Sequence, residues 1–257
     1  MNAARIAELL DPFLHAPIES ANDSEVPRHS GAAKAGEEPA VLSPAQLQHI
    51  STYIDILLHW NARINLTAIR DPEDIVTRHF GESLFAARHL FPGGTAAVQG
   101  RVAGQEEMGA LAPGAVSVAD IGSGAGFPGL PLKLWSPRIS LTLIESNHKK
   151  AAFLREVTRA LTLTDINVQN ARAETLGATF DVVTLRAVEH FEVILPTAAT
   201  LLAPSGRLAL LIGTAQQDQV RSILPHLAWS APSPIPNSRS RVLRIGRTIP
   251  VAADSRR

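Results

Sequence analysis

The sequence predicts an α/β chain: an open, mainly parallel, Rossmann-like sheet with helices on both faces, preceded by a helical extension. Three observations predict it. From residue 116 onward, short apolar runs alternate with helix-length stretches, the pattern of repeated βα units. The first run, Val118-Ala119-Asp120-Ile121, passes straight into Gly122-Ser123-Gly124-Ala125-Gly126-Phe127-Pro128-Gly129. That is a strand, a glycine-crowded turn and a proline placed to open a helix. Ahead of this region, residues 43–90 carry two helical patterns and no strand pattern.

The elements follow in order. Residues 1–15 form a short amphipathic helix through Ile6, Leu9, Leu10 and Phe13, and residues 16–42, rich in Pro, Ser, Ala and Glu, read as a linker. As a unit, residues 1–42 are expected to be a variable, flexible N-terminal segment. Ser43-Pro44-Ala45-Gln46 is a helix start, with Ser as cap, Pro in the first turn and Gln reaching back. That helix runs to about Trp60, and Asp71-Pro72-Glu73-Asp74 opens a second one to about Leu90. Residues 43–91 are therefore a helical extension, and the glycine-rich stretch 92–114 a surface connector. Residues 115–250 form the sheet domain, with strands at 116–121, 140–145, 167–169, 180–185 and 207–212. Helices are expected around 129–135, 149–161 and 193–202, and Leu202-Ala203-Pro204-Ser205-Gly206 reads as a turn. A polar helix at 216–224 and weaker strands near 226–229 and 241–245 complete a seven-stranded sheet, leaving 251–257 as a tail.

Composition narrows the function. No apolar run approaches the roughly 20 residues of a membrane span, and Arg5, Glu8 and Asp11 break up the apolar N-terminus where a signal peptide would be unbroken. The chain has no cysteine, which excludes disulfides, zinc–thiolate sites and a thiolate nucleophile and is compatible with the cytoplasm. Lysines plus arginines and aspartates plus glutamates number 24 each, so no global nucleic-acid signature exists and DNA is not an expected partner. The charge is uneven, however: seven arginines (221, 239, 241, 244, 247, 256 and 257) follow Gln219 against one acid, Asp254. They are either a solvated tail or a set of phosphate contacts. No Walker loop, Gly-x-Ser-x-Gly elbow or His-Glu-x-x-His is present. His79 and Glu82 lie three apart but lack further metal ligands, so no metal is expected.

The glycine loop is a cofactor corner. Gly124-x-Gly126-x-x-Gly129 matches a dinucleotide fingerprint in the wrong register, because Gly122 already follows the strand. Asp120 beside the loop would repel a pyrophosphate and favour the ammonium and sulfonium of S-adenosylmethionine. Asp120, Gly122, Gly124 and Gly126 are thus candidate cofactor residues. Glu145, ending the second strand roughly 20 residues on, suits ribose hydroxyls. Ala173 and Glu174, after the third strand, fall where an adenine edge would lie. Arg186 ends the fourth strand as either an ion-pair partner or a holder of the cofactor carboxylate or a substrate phosphate.

With these placed, the chain resembles the bacterial small-subunit ribosomal RNA guanine-N7 methyltransferases, the glucose-inhibited division protein B family, over about residues 43–247. The resemblance rests on Trp60-Asn61, Asn65-Leu66-Thr67, Arg70-Asp71-Pro72, Arg78-His79, Glu82-Ser83, the glycine loop from Asp120 to Gly129, Glu145-Ser146 and Arg186-Ala187. It implies a class I S-adenosylmethionine-dependent methyltransferase fold and cofactor contacts at Gly122, Phe127, Ala173, Glu174 and Arg186. The implied substrate is a guanine of 16S ribosomal RNA, within the small subunit or its precursor. Arg78, His79 and Arg186 are candidates to line the target pocket, with no general base required. Glu82 and Glu145 stand where the family commonly has aspartate, Leu185 where it has serine, and Ile212 where it has lysine. Two rival readings are a small-molecule methyltransferase, suited to neutral net charge, and a non-catalytic ribosome assembly factor that keeps the cofactor pocket.

Overall fold

The structure, a computed structural model, describes residues 1–18, 41–92, 94, 115–186 and 191–248. The connector 95–114 and the tail 251–257 lie outside these residues, as does most of the expected linker. Five parallel strands, β1 (Ser117–Ile121), β2 (Ser140–Ile144), β3 (Ile166–Gln169), β4 (Phe180–Arg186) and β5 (Leu202–Gly213), form most of the sheet. β6 (Leu227–Trp229), β7 (Ser233–Pro234) and β8 (Arg241–Thr248) complete it. The order is β3-β2-β1-β4-β5-β8-β6, with β8 antiparallel to β5 and the short β7 paired to β8. Strand order reverses between β1 and β4, which opens a crevice at their carboxyl ends.

Alternation along the strands builds two cores. Val118, Leu141, Leu143, Val182 and Leu243 face one side, packed on helices α5 (Gly129–Trp135) and α6 (His148–Ala160). Ala119, Ile121, Val183, Leu185, Leu210 and Ile212 face the other, beneath α7 (Phe191–Thr200) and α8 (Gln217–Ile223). Ile212 is therefore a core residue, and a lysine there would bury its stem among aliphatic side chains. Leu185 is buried in the same cluster.

The extension joins the first core. Helix α2 (Pro44–Asn61) begins with the expected capping box, Gln46 N–H donating to Ser43 Oγ and Ser43 N–H to Gln46 Oε1 at 3.3 and 2.7 Å. The second expected helix is divided: α3 (Pro72–Ile75), a π-helical turn (Val76–Gly81) and α4 (Glu82–Leu90). π-Turns of this kind gather at functional sites.

Two expectations change. Helix α1 (Ala3–Leu14) is not part of a flexible segment: Ile6, Leu10 and Phe13 are buried. The ring of Phe13 lies so close to Gly81 that a Cβ there would sit 2.5 Å from it. Arg5 also holds Glu73 through two 2.8 Å hydrogen bonds. An amphipathic stripe finds a partner whenever a neighbouring apolar groove exists, which the polar linker after it concealed. The expected turn at 202–206 lies inside β5, where Phe180 pairs with Leu202 but Val182 with Arg207. Residues 203–206 bulge out of the ladder, with Ser205 at φ 65°, and the strand resumes.

Candidate active site

The crevice is built from the glycine loop outward. Gly122 and Ser123 N–H both donate to Ile144 O, at 2.9 and 3.1 Å, tying the loop to β2. Gly124 has φ +54°, and the nearest atom to a Cβ built there is Gly122 O at 3.7 Å. Open space above a left-handed residue is a cradle that a side chain would fill. Gly126 is tight instead, since a Cβ there would run into the Tyr53 hydroxyl, which donates to Ala125 O.

The two carboxylates of the loop serve it first. Asp120 is fully buried: Oδ1 accepts from Thr184 Oγ1 at 2.8 Å and Oδ2 from Gly129 N–H at 3.2 Å. Burial pushes its carboxyl up to about 6. This corrects the expectation of a direct contact to the cofactor's cations, because the side chain turns inward and braces the turn against β4 and α5. Glu145, just past the end of β2, is only 7% exposed. Its Oε2 accepts from Gly124 N–H at 2.9 Å and its Oε1 from Asn147 N–H at 2.8 Å. Each oxygen keeps a lone pair for a further donor.

Phe127 connects the loop to the extension. Its ring stacks on Tyr53 (5.3 Å between centroids, 4° between planes) and on His79 (4.7 Å, 20°). The edge of Phe80 meets it at 5.1 Å. His79 Nδ1 lies 2.9 Å from Arg186 Nη1, and Nε2 lies 2.8 Å from Thr67 Oγ1. A guanidinium only donates, so Nδ1 accepts and Nε2 carries the hydrogen. Burial and the charges of Arg186, Arg241 and Arg78 hold the imidazole down at about 3, so it is neutral. Asn61 shapes the loop that supplies Thr67: its Oδ1 accepts from Leu66 and Thr67 N–H at 2.9 and 3.1 Å, and its Nδ2 donates to Thr67 O at 2.9 Å.

Arg186, at the tip of β4, gathers the rest. Its Nη2 donates to Arg78 O at 2.6 Å and to Glu82 Oε2 at 3.0 Å, and Arg241 Nη1, from β8, donates to the same Oε2 at 2.7 Å. His79 and Glu82, three apart, thus converge on a guanidinium.

Gly122, Gly124, Gly126, Asp120, Phe127 and Glu145 meet at the β1–β2 end of the crevice, and His79 and Arg186 at the β4 end. Arg78 joins through its carbonyl, with its own side chain exposed. Ala173 and Glu174 form a separate 3₁₀ turn after β3, where Ala173 is buried and Glu174 lies 3.6 Å from Arg172. Sequence reasoning missed Tyr53, Thr184 and Arg241. Tyr53 is the one tyrosine of the chain and sits on the apolar stripe of α2, a signal that was available. Arg241 lies far along the chain and was readable only as one of many arginines.

A family model described as rRNA small subunit methyltransferase G, GidB, matches residues 46–98 and 107–228. The chain belongs to the GidB family. Among curated relatives, the Ribosomal RNA small subunit methyltransferase G of Xylella fastidiosa (strain 9a5c) is 33% identical over 217 residues, covering 83% of this chain and 92% of the relative. The protein of the same name from Chloroflexus aggregans is 39% identical over 185 residues, or 70% and 69% of the two chains. A ribosomal protein L11 methylase from Lactobacillus delbrueckii subsp. bulgaricus superposes at a TM-score of 0.48 with 15% identity, over 66% of this chain and 80% of that one; so distant a likeness adds nothing to the assignment. As a GidB family member, the chain carries a class I methyltransferase sheet in its order β3-β2-β1-β4-β5-β8-β6 with the helical extension folded over the β4 tip.

Proposed function

We propose that this GidB family protein transfers the methyl group of S-adenosylmethionine to N7 of a guanine in 16S ribosomal RNA, in the small subunit or a late precursor. The observation that carries the reading is the Phe127–His79–Arg186 contact, which joins the family's helical motifs to the glycine loop at the topological switch point. The cradle over Gly124, the lone pairs left on Glu145 and the cationic Arg186 fit the cofactor's methionyl chain, ribose and carboxylate in turn. Ala173 and Glu174 stand where the adenine edge would end.

S-adenosylmethionine, when bound, supplies an electrophilic methyl on a sulfonium. Guanine N7 would offer that methyl an unprotonated lone pair, so the residues of the site would have no proton to remove. The site is suited to that chemistry. His79 has its Nδ1 lone pair committed to Arg186, which leaves no base on the imidazole. Arg186 and the Phe127–His79 stack orient and exclude water, an effect of position. Arg63, Arg70 and Arg78, all exposed on the extension, supply phosphate contacts that position RNA without reading it.

The test is incubation with labelled cofactor and either small subunits lacking the modification, protein-free 16S RNA or guanosine. Label is expected as 7-methylguanosine, mostly in the subunits; equal labelling of guanosine would favour a small-molecule methyltransferase instead. Gly124→Val should abolish cofactor binding in a calorimetric titration, since it fills the cradle and forces a β-branched residue to positive φ.

A further inference from the structure

Methylation at N7 poses a recognition problem that the chemistry does not solve. Adenine carries the same unprotonated N7 as guanine, so attack on the methyl cannot by itself choose between them. The difference lies on the neighbouring edge. Guanine presents an O6 acceptor, an N1–H donor and an N2 amino donor; adenine presents an amino donor at position 6 and an acceptor at N1.

Beside the Phe127–His79 stack the structure holds a buried carboxylate with one oxygen filled and the other open among the described residues. Glu82 is 3% exposed, and its Oε2 accepts from both Arg186 and Arg241. Its Oε1 accepts from no group among the described residues. Arg241, with 32% of its side chain exposed, uses Nη1 for Glu82, and its remaining N–H groups donate to none of the described residues. The N–H at Arg186 Nε is buried and also lacks an acceptor among the described residues. An open acceptor and an open donor therefore stand side by side on one ion pair. A carboxylate is rarely fully buried unless paired, and each of its oxygens can accept. The two cations on Oε2 hold the group in place and leave Oε1 without a partner among the described residues.

We propose that Glu82 and Arg241 are the base-reading pair, with Glu82 Oε1 accepting from guanine N1–H and N2–H and Arg241 donating to O6. This rests on the guanine N7 reading above and adds the residues that enforce it. Held by its O6–N1–N2 edge, the base keeps N7 uncovered for the methyl. Adenine in the same place would set donor against donor at position 6 and acceptor against carboxylate at N1, which leaves buried polar groups unpaired on both sides.

The experiment maps the modified guanine with the wild-type protein, then reconstitutes small subunits from 16S RNA carrying guanine or adenine at that position. Methyl transfer to each is measured by mass of the 7-methyl base for wild type, Glu82→Gln and Arg241→Gln, with cofactor affinity and melting temperature recorded alongside. Wild type should prefer guanine strongly. Each variant should narrow the guanine-to-adenine ratio by about ten- to a hundred-fold, the range for one base-edge contact, and Arg241→Gln should leave cofactor affinity unchanged. Should Glu82→Gln fail to fold, the partly exposed Arg241→Gln still reports. An unchanged ratio, a parallel fall on both bases, or loss of cofactor binding in Arg241→Gln would overturn the proposal and leave the N7 reading standing. A wild-type protein that leaves every guanine unmodified would remove both.

Discussion

At the residue scale, an acid's position in the chain was legible and the direction of its side chain was not. Asp120 and Glu145 both fall at strand ends beside the glycine loop, and the strand pattern found them. Whether a carboxylate at such a tip faces a ligand or its own backbone depends on where Gly124, Gly129, Asn147 and Thr184 present their donors, which only the folded turn decides. Glu145→Ala removes an acceptor from two backbone N–H groups as well as from a ribose. It should weaken cofactor binding by about 1–3 kcal/mol and also lower the melting temperature; unaltered titration curves would remove Glu145 from the site. Asp120 makes stability depend on pH. Its carboxyl is raised from 3.8 to about 6 in the fold, so the folded state holds the proton more tightly than the unfolded one. The associated stability is fully present below about pH 4 and is lost as pH rises through about 6. Asp120→Asn should flatten that part of the profile, a difference on the order of 3 kcal/mol across the window. Parallel denaturation profiles for the two proteins between those pH values would contradict it.

At the element scale, the alternation of βα units was plain because buried parallel strands must be apolar and their connecting helices amphipathic. Less was legible where local signals and tertiary pairing disagree. Pro204-Ser205-Gly206 has the chemistry of a turn and makes one, yet β5 runs through it because Leu202 still finds Phe180 across the ladder. The π-turn has no local signature at all; it is one residue of slack that lets Arg78 O, His79 and Glu82 all reach Arg186. Helix α1 carries a clear stripe, but its docking site is made by Gly81 and α2, distant in the chain. Its contribution is testable: Phe13→Ala should cost about 3–5 kcal/mol in a urea melt. A loss under about 1 kcal/mol would mean that α1 is only loosely held.

At the scale of the whole molecule, zero net charge conceals an uneven surface. Arg63, Arg70 and Arg78 on the extension and Arg239 and Arg247 around β8 are exposed. Phosphate contacts release counterions, so transfer to small subunits should fall steeply as salt is raised from about 50 to 200 mM. Cofactor affinity, set by buried groups, should stay nearly level. A transfer rate indifferent to salt would argue that these arginines do not meet RNA.

The Glu82–Arg241 ion pair spans 159 residues of chain and the Glu82–Arg186 pair 104. A ribosome making this protein delivers Glu82 well before the residue that completes the pair. Until β8 has emerged, the nascent chain holds its glycine loop and its first helices but lacks one of the two cations on Glu82. Chains terminated before Arg241 are therefore born with Glu82 holding only Arg186.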